Sequence, residues 1–249
     1  MRNRLVGVLL LLLLSSLGRI DAQGVDPKVM SEVTAVRAVL TLNYAALRHY
    51  TWTEHTEVRV KGDVKSSSDV SCRYDSTGAL TKTPIHPGEA KEASSVVSKR
   101  YMVRKKANME DYIQRAINRI QNYAPPDPEQ INHLVEVGRA SLAPSDGDKS
   151  EVRFTNYFET GDSVIFTYES VSKVLLRVRV ASTLGSPKDP VTLEVVFETL
   201  PDGVNHLSSA TLDAKSKKVQ VIRRNVKYEK AAGRGPSPAS AFRRIRIWW

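Results

Sequence analysis

Cysteine is almost absent from this chain, since Cys72 is the single one among 249 residues. One thiol cannot form an intrachain disulfide, so the fold must be stabilised by its hydrophobic core. Cys72 stands in an alternating run between Val70 and Tyr74 with no local Cys-His motif, which predicts a buried core thiol rather than a nucleophile. A chain of this length can bury enough surface for one large domain or two small ones.

Motifs for metal binding and for catalysis are missing as well. The five histidines, which have no His-x-x-x-His spacing, are His49, His55, His86, His133 and His206. No Cys-x-x-Cys pair, Gly-x-Ser-x-Gly elbow or Gly-rich phosphate loop is present, so the sequence predicts no metal site and no cofactor. Glu54 and His55 are neighbours on a predicted strand and point to opposite faces. We therefore assign no catalytic residue.

Nucleic-acid-binding motifs are also absent, although the chain is strongly basic. We find no zinc-finger spacing, no Gly-Phe-rich RNA motif and no helix-turn-helix, so no nucleic-acid partner is expected. The formal net charge is +10. In an exported protein such a charge favours anionic lipid headgroups, lipopolysaccharide or acidic polymers, and it also serves solubility.

A long hydrophobic run occurs at the N-terminus. Two arginines within the first four residues precede an apolar run over 5–14, and small and polar residues follow as far as Ala22. This order is typical of a secretory signal peptide cleaved after Ala22, and it predicts export to the periplasm or secretion. The alternative is an N-terminal membrane anchor, which needs about 20 apolar residues, whereas Ser15 and Ser16 interrupt this run.

The chain after the signal begins with a predicted amphipathic helix. Asp26 provides an N-cap and Pro27 the first helical residue, and the helix ends near Tyr50. Its apolar residues recur every three or four positions: Val29, Val33, Val36, Leu40, Tyr44 and Leu47. The opposite face has few lysines and arginines, which favours a helix that covers a core over one that lies on a membrane.

The hydrophobic period then changes from 3.6 to 2. Strands around 52–60, 70–74 and 79–83 are separated by turn signals and predict an antiparallel meander. A helical insertion follows at about 95–143. It contains one helix with apolar spacing over 109–123 and a second that starts at Asp127 and Pro128 and carries Leu142 on its apolar side.

The chain from Glu151 to Tyr228 is predicted to be continuously β, with six more strands and short turns between them. Short connections pair neighbouring strands antiparallel, and roughly nine strands exceed what a flat sheet holds comfortably. The predicted fold class is therefore α+β, a curved antiparallel sheet or half-barrel covered by the N-terminal helix and the helical insertion. Its concave side must be filled by helices or by a ligand.

The segment 233–249 differs in composition from the rest of the chain. A Gly-Pro-Ser linker leads to a basic aromatic tail. The tail residues expected to contact a membrane are Phe242, Arg243, Arg244, Arg246, Trp248 and Trp249. The alternative is an extension without a partner. A second basic cluster over 99–106 could also meet anionic lipid, but a solvated helix face explains it better.

The order of helix, three-strand meander, helical insertion and long antiparallel run resembles the bacterial periplasmic lipoprotein-carrier superfamily, the LolA/LolB-like proteins, over about 26–229. The local sequences at 50–54, 60–62 and 73–78 are similar to the strand-turn-strand opening of such proteins. The resemblance implies a half-barrel closed by helices around an apolar cavity that receives acyl chains. The basic insertion and the tail depart from this pattern, and the chain has no diagnostic motif that would transfer a functional residue.

These observations lead to a first hypothesis of a non-enzymatic exported carrier or binding protein for a lipid-like or lipoprotein acyl ligand at the cell envelope. Its expected cavity-wall residues are Val58, Val60, Phe154, Phe166, Leu176, Leu193, Met109 and Ile113. The alternative for the same residues is a fully packed core. A second hypothesis is a secreted hydrolase with two converging carboxylates, and a third is an envelope interaction protein whose tail contacts membrane.

Overall fold

The computed structural model describes residues 26–85, 96–123, 126–144 and 147–231, and it describes the side chains of all of these except 96–106 and Pro144. The predicted signal peptide and the predicted membrane-contact residues Phe242, Arg243, Arg244, Arg246, Trp248 and Trp249 lie outside the described residues. Within the described part of the chain, no helix is long and apolar enough to cross a membrane.

A single antiparallel sheet of ten strands forms the framework of the described residues. The strands are β1 (Tyr50–Val60), β2 (Asp63–Tyr74), β3 (Leu80–Pro84), β4 (Ala140–Pro144), β5 (Lys149–Thr155), β6 (Ser163–Glu169), β7 (Leu175–Thr183), β8 (Pro190–Thr199), β9 (Asn205–Ala214) and β10 (Val219–Lys230). Their order in the sheet is β3-β2-β1-β10-β9-β8-β7-β6-β5-β4. The sheet is curved and unclosed, which confirms the predicted half-barrel.

The first and last strands pair with each other. The β1–β10 register runs from Tyr50 opposite Lys230 to Val60 opposite Val219. All other pairings in the sheet join strands that are neighbours along the chain. The β1–β2 turn is tight, since Lys61 and Gly62 both have positive φ, as the two central residues of a type I′ turn require.

Within the described ranges, three helices accompany the sheet: α1 (Pro27–Leu47), α2 (Val96–Gln121) and α3 (Pro128–Glu136). A short 3₁₀ turn, Lys215–Lys217, joins β9 to β10. The predicted starts of α1 and α3 are confirmed. Asp26 accepts a hydrogen bond from the backbone N–H of Lys28, and Asp127 accepts one from that of Glu129, both at 2.9 Å.

The sequence-based interpretation was wrong for residues 140–144. Leu142 was expected on the apolar side of the second insertion helix, but it lies on β4 opposite Val152. The helix ends earlier because Gly138 has a φ of +69°, a left-handed conformation that stops a helix. The sheet therefore has ten strands rather than about nine, and its edge on this side is β4.

One hydrophobic core lies between the helices and the face of the sheet that they cover, which we call the concave face. Buried helix residues that meet it are Val29, Val36, Tyr112, Ala116, Ile120, Leu134 and Val135. Hydrogen bonds fix the helices over this core. Tyr112 donates to Asp189 at 2.7 Å and Tyr123 to Asp162 at 2.6 Å, while Glu32 accepts from Lys173 at 2.7 Å.

We expect Leu193→Ala to destabilise the protein by about 2–5 kcal/mol, because Leu193 is fully buried and its removal leaves a cavity. Val171→Ala is the control, since Val171 is 90% exposed and its truncation should cost less than about 0.5 kcal/mol. Urea unfolding of both variants measures this. Equal stabilities would contradict a close-packed core at Leu193.

Candidate functional site

The predicted cavity-wall residues fall into two groups. Phe154, Phe166 and Leu193 lie in the core with exposed fractions of 1%, 7% and 2%. The rings of Phe154 and Phe166 meet edge to face, with centroids 5.8 Å apart. This part of the concave face is closely packed in the structure.

The second group is half-buried. Val58 and Val60 on β1, with Met109 and Ile113 on α2, pack against the edge of the core. Leu176 is also half-buried, but it lies at a register shift between β6 and β7, and its neighbour Leu175 is the residue inside the core. A bulge of this kind moves a side chain out of the simple two-residue alternation on which its prediction depended.

Burial decreases along the concave face of β1. Tyr50, Trp52 and Glu54 are buried, whereas Thr56, Val58 and Val60 are half-buried. On one side, Val58 faces the buried Val221 of β10, and on the other it faces the exposed Ser66 of β2. This strip of the concave face, which we call the β1–β2–β10 trough, runs from the buried Val219 and Val221 across the half-buried Val58 and Val60 to the exposed Ser66. It therefore has an apolar side and a hydroxyl side.

A buried group of charges lies beside this trough. The Glu54 carboxylate accepts hydrogen bonds from the Lys82 amino group at 2.8 and 3.0 Å, and the Arg223 Nε lies 3.3 Å from it. Burial lowers the pKa of Arg223, while the Glu54 carboxylate opposes that change. Two cations thus surround one carboxylate, which leaves this end of the concave face positive. The two-residue alternation of β1 places Glu54 inward, so the sequence pattern already indicated a buried carboxylate at this position.

An aromatic row crosses the sheet next to these charges. Tyr44 of α1 meets Tyr74 at 5.4 Å, Tyr74 meets Trp52 at 5.5 Å, and Trp52 stacks on Tyr228 at 5.5 Å between ring centroids. Cys72 is fully buried here, as predicted. Burial and the nearby Glu54 raise the pKa of its thiol to about 11, so the reactive thiolate is disfavoured.

A histidine lies between two carboxylates on the opposite face, which we call the outer face. His55 Nδ1 lies 2.6 Å from Asp69, and its Nε2 lies 3.2 Å from Glu57. Arg59 also holds Glu57, at 2.6 and 2.9 Å. Because both ring nitrogens bind carboxylates, neither is available as a general base. Within the described residues, no three His, Cys, Asp or Glu side chains are grouped to hold a metal ion.

Replacement of Glu54 tests the buried charges. We expect Glu54→Gln to destabilise the protein by about 3 kcal/mol, because Lys82 and Arg223 lose the charge that neutralises them. Glu194→Gln is the control, since Glu194 pairs with Arg177 on an exposed surface and should cost less than about 1 kcal/mol. Chemical denaturation compares the two variants, and equal losses would contradict this account.

His55 should make the stability depend on pH. Hydrogen bonds to Asp69 and then to Glu57 raise the pKa of His55 in the folded protein. Its stabilising contribution is therefore complete below the unfolded pKa of about 6.5 and is lost as the pH rises through the folded value. The stability advantage of the wild type over His55→Gln should shrink from about pH 6 upward. An advantage that stays constant across this range would refute the assignment.

This chain is similar to several solved structures but to no known sequence family. Neither a protein-family model nor a curated protein sequence matches this chain. Similar solved structures include a DUF1329 family protein from Desulfovibrio piger, with 8% identity and a TM-score of 0.36 over 81% of this chain and 93% of that one. A LolA superfamily protein from Nitrosomonas europaea has 8% identity and a TM-score of 0.36 over 84% and 97% of the two chains.

An outer membrane lipoprotein-sorting protein domain from Vibrio parahaemolyticus has 9% identity and a TM-score of 0.34, again over 84% of this chain and 97% of that one. At these identities and TM-scores the likeness concerns the general layout alone.

Proposed function

We propose that this protein is a non-enzymatic binding protein that carries a lipid-like ligand, the acyl chain of a lipid or of a lipoprotein, at the cell envelope. The observation that carries the proposal is the β1–β2–β10 trough. Its half-buried valines continue the packed core outward along the concave face. An acyl chain laid in the trough would extend that core and cover Val58 and Val60.

Helix α2 is suited to act as a cover for such a chain. Tyr112 of α2 donates a hydrogen bond to Asp189 in the β7–β8 turn, and Arg119 donates one to Ser182 on β7. Just after the helix, Tyr123 donates to Asp162 in the turn before β6. Among the α2 side chains that the structure describes, from residue 107 onward, Tyr112, Ala116 and Ile120 are buried, whereas Met109 and Ile113 are partly buried at the core edge. Separation of α2 from the sheet near Met109 would admit a chain while the C-terminal half stays fixed.

Burial of methylene groups supplies the favourable free energy for such binding. Burial of each CH₂ group contributes about 0.8 kcal/mol. Eight methylene groups in the trough would therefore contribute on the order of 6 kcal/mol, and a 16-carbon chain that also reached under α2 would gain more. The costs of association are subtracted from this gain, so the affinity depends on how much of the chain is buried.

The N-terminal sequence and the charge support a location at the envelope. We propose that residues 1–22 direct export and that the tail residues Phe242 to Trp249 contact an anionic membrane. The full chain has a net charge of +10, and removal of Arg2, Arg4, Arg19 and Asp21 with the signal peptide would leave +8. This charge supports the contact, because anionic headgroups attract a basic protein. The tail would then bring the carrier to the surface where its ligand resides.

A fluorescent fatty acid tests the proposal. We expect the chain from Gln23 onward to bind cis-parinaric acid, an 18-carbon probe that fluoresces in apolar sites. Val58→Asp should weaken this binding at least tenfold, because an acyl chain in the trough would bury the new carboxylate.

Val171→Asp is the matched control. Val171 is 90% exposed in the turn between β6 and β7, so the same substitution there adds the same charge away from the trough. Its affinity should stay within twofold of the wild type. Absence of binding by the wild type, or equal weakening by both variants with circular dichroism unchanged, would overturn the proposal.

A further inference from the structure

Strands β9 and β10 separate halfway along their length. Their last paired residues are Ser209 and Arg224. Beyond this pair, β10 continues beside β1 as far as Lys230, and β9 continues beside β8 as far as Asn205. A cleft of about 520 Å³ opens where the two strands part, and we call it the β9–β10 cleft.

Two irregularities produce the cleft. Lys227 has a φ of +56° at the register shift between β1 and β10. A second register shift, between β8 and β9, leaves Ser208 without an opposite residue. Such bulges bend strands and redirect side chains, and they occur often beside functional sites. The Tyr228 hydroxyl bridges the gap by donating to the backbone carbonyl of Leu207 at 3.0 Å.

The cleft is lined mainly by cationic and hydrogen-bonding groups. Arg224 and Lys227 contribute two positive charges, and Glu198 contributes the one carboxylate of the lining. Hydroxyl groups come from Ser208 and Ser209. A second depression of about 420 Å³ on the outer face is also lined by Arg224 and Lys227. The two cations therefore lie between this depression and the β9–β10 cleft.

Both cations are available to a ligand. The Arg224 side chain is 48% exposed, and its nearest described carboxylate is that of Glu57 at 3.8 Å, which Arg59 already holds at 2.6 Å. Lys227 is exposed, and in the described ranges no carboxylate lies within ion-pair distance of its amino group. An anion that binds to Arg224 and Lys227 would therefore not have to break a short ion pair.

Two serines add hydroxyl groups beside these cations. Ser209 stands opposite Arg224 in the β9–β10 pairing, and Ser208 lies next to it at the register shift between β8 and β9. The chemistry of the cleft thus combines an anion site with hydroxyl recognition.

We propose that the β9–β10 cleft binds a hydroxylated organic phosphate, with the phosphate on Arg224 and Lys227 and the hydroxyl groups on Ser208 and Ser209. Such a phosphate has two sources, a soluble metabolite or a phospholipid headgroup. The cleft includes residues of the outer face and does not include the valines of the trough, so this proposal is independent of acyl-chain binding.

Titration with glycerol 3-phosphate, followed by two-dimensional NMR, tests the proposal. Saturable shifts are expected at the amides of Ser208 and Ser209. Glycerol alone and inorganic phosphate should each bind at least tenfold more weakly. The Val58→Asp variant should bind glycerol 3-phosphate as tightly as the wild type does. Loss of acyl-chain binding with intact glycerol 3-phosphate binding therefore concerns the proposed function alone, and the reverse result concerns this proposal alone.

Lys227→Asn removes one charge while keeping a residue that tolerates positive φ. Lys61→Asn is its matched control, because Lys61 also has a φ of +56° and lies at the β1–β2 turn. We expect at least tenfold weaker binding for Lys227→Asn and a change within twofold for Lys61→Asn. Equal effects, or no saturable shifts in the wild type, would overturn the proposal.

Phosphatidylglycerol vesicles distinguish the two sources. If the ligand is a headgroup, Lys227→Asn should reduce vesicle binding more than Lys61→Asn does, and glycerol 3-phosphate should compete. If the ligand is soluble, the two variants should bind vesicles equally while their affinities for glycerol 3-phosphate differ. Both results support the cleft as the phosphate site.

Discussion

The antiparallel pairing of β1 with β10 is the constraint on which the rest of the structure depends. It joins the β1–β3 meander to the seven strands β4–β10, which are otherwise a separate sheet. This junction closes the chain on itself and brings β2 and β3 onto the same curved surface as the helix-covered strands. The trough, the buried charges and the β9–β10 cleft all lie at or next to it.

The junction differs on its two faces because neighbouring residues of a strand point in opposite directions. Arg223 faces inward to Glu54, and Arg224 stands opposite His55 on the outer face. The inward charges are costly to bury, which makes Glu54 a point where the sheet depends on exact neutralisation. The irregular backbone at Lys227 and Ser208 lies in the same region. Regular strand pairing is therefore interrupted at the place where the polar side chains of β9 and β10 are concentrated.

Much of the fold follows from the sequence, since the Asp-Pro caps of α1 and α3 and the two-residue alternation of nine strands are local signals. The strand β4 was missed because Leu142 is apolar in either interpretation and the left-handed Gly138 decides between them. The pairing of β1 with β10 joins segments that are far apart in the chain, so no local sequence pattern predicts it. Leu176 and the β9–β10 cleft depend on register shifts, which periodicity cannot reveal.

The central claim is that the half-buried valines of the concave face receive an acyl chain. The most direct measurement is native mass spectrometry of the protein purified from cells under mild conditions, followed by identification of the lipids that dissociate from it. The account predicts one acyl-bearing molecule per protein chain, lost when Val58 is replaced by Asp. A protein that carries no acyl group in this state, and takes up none from phospholipid vesicles, would contradict it.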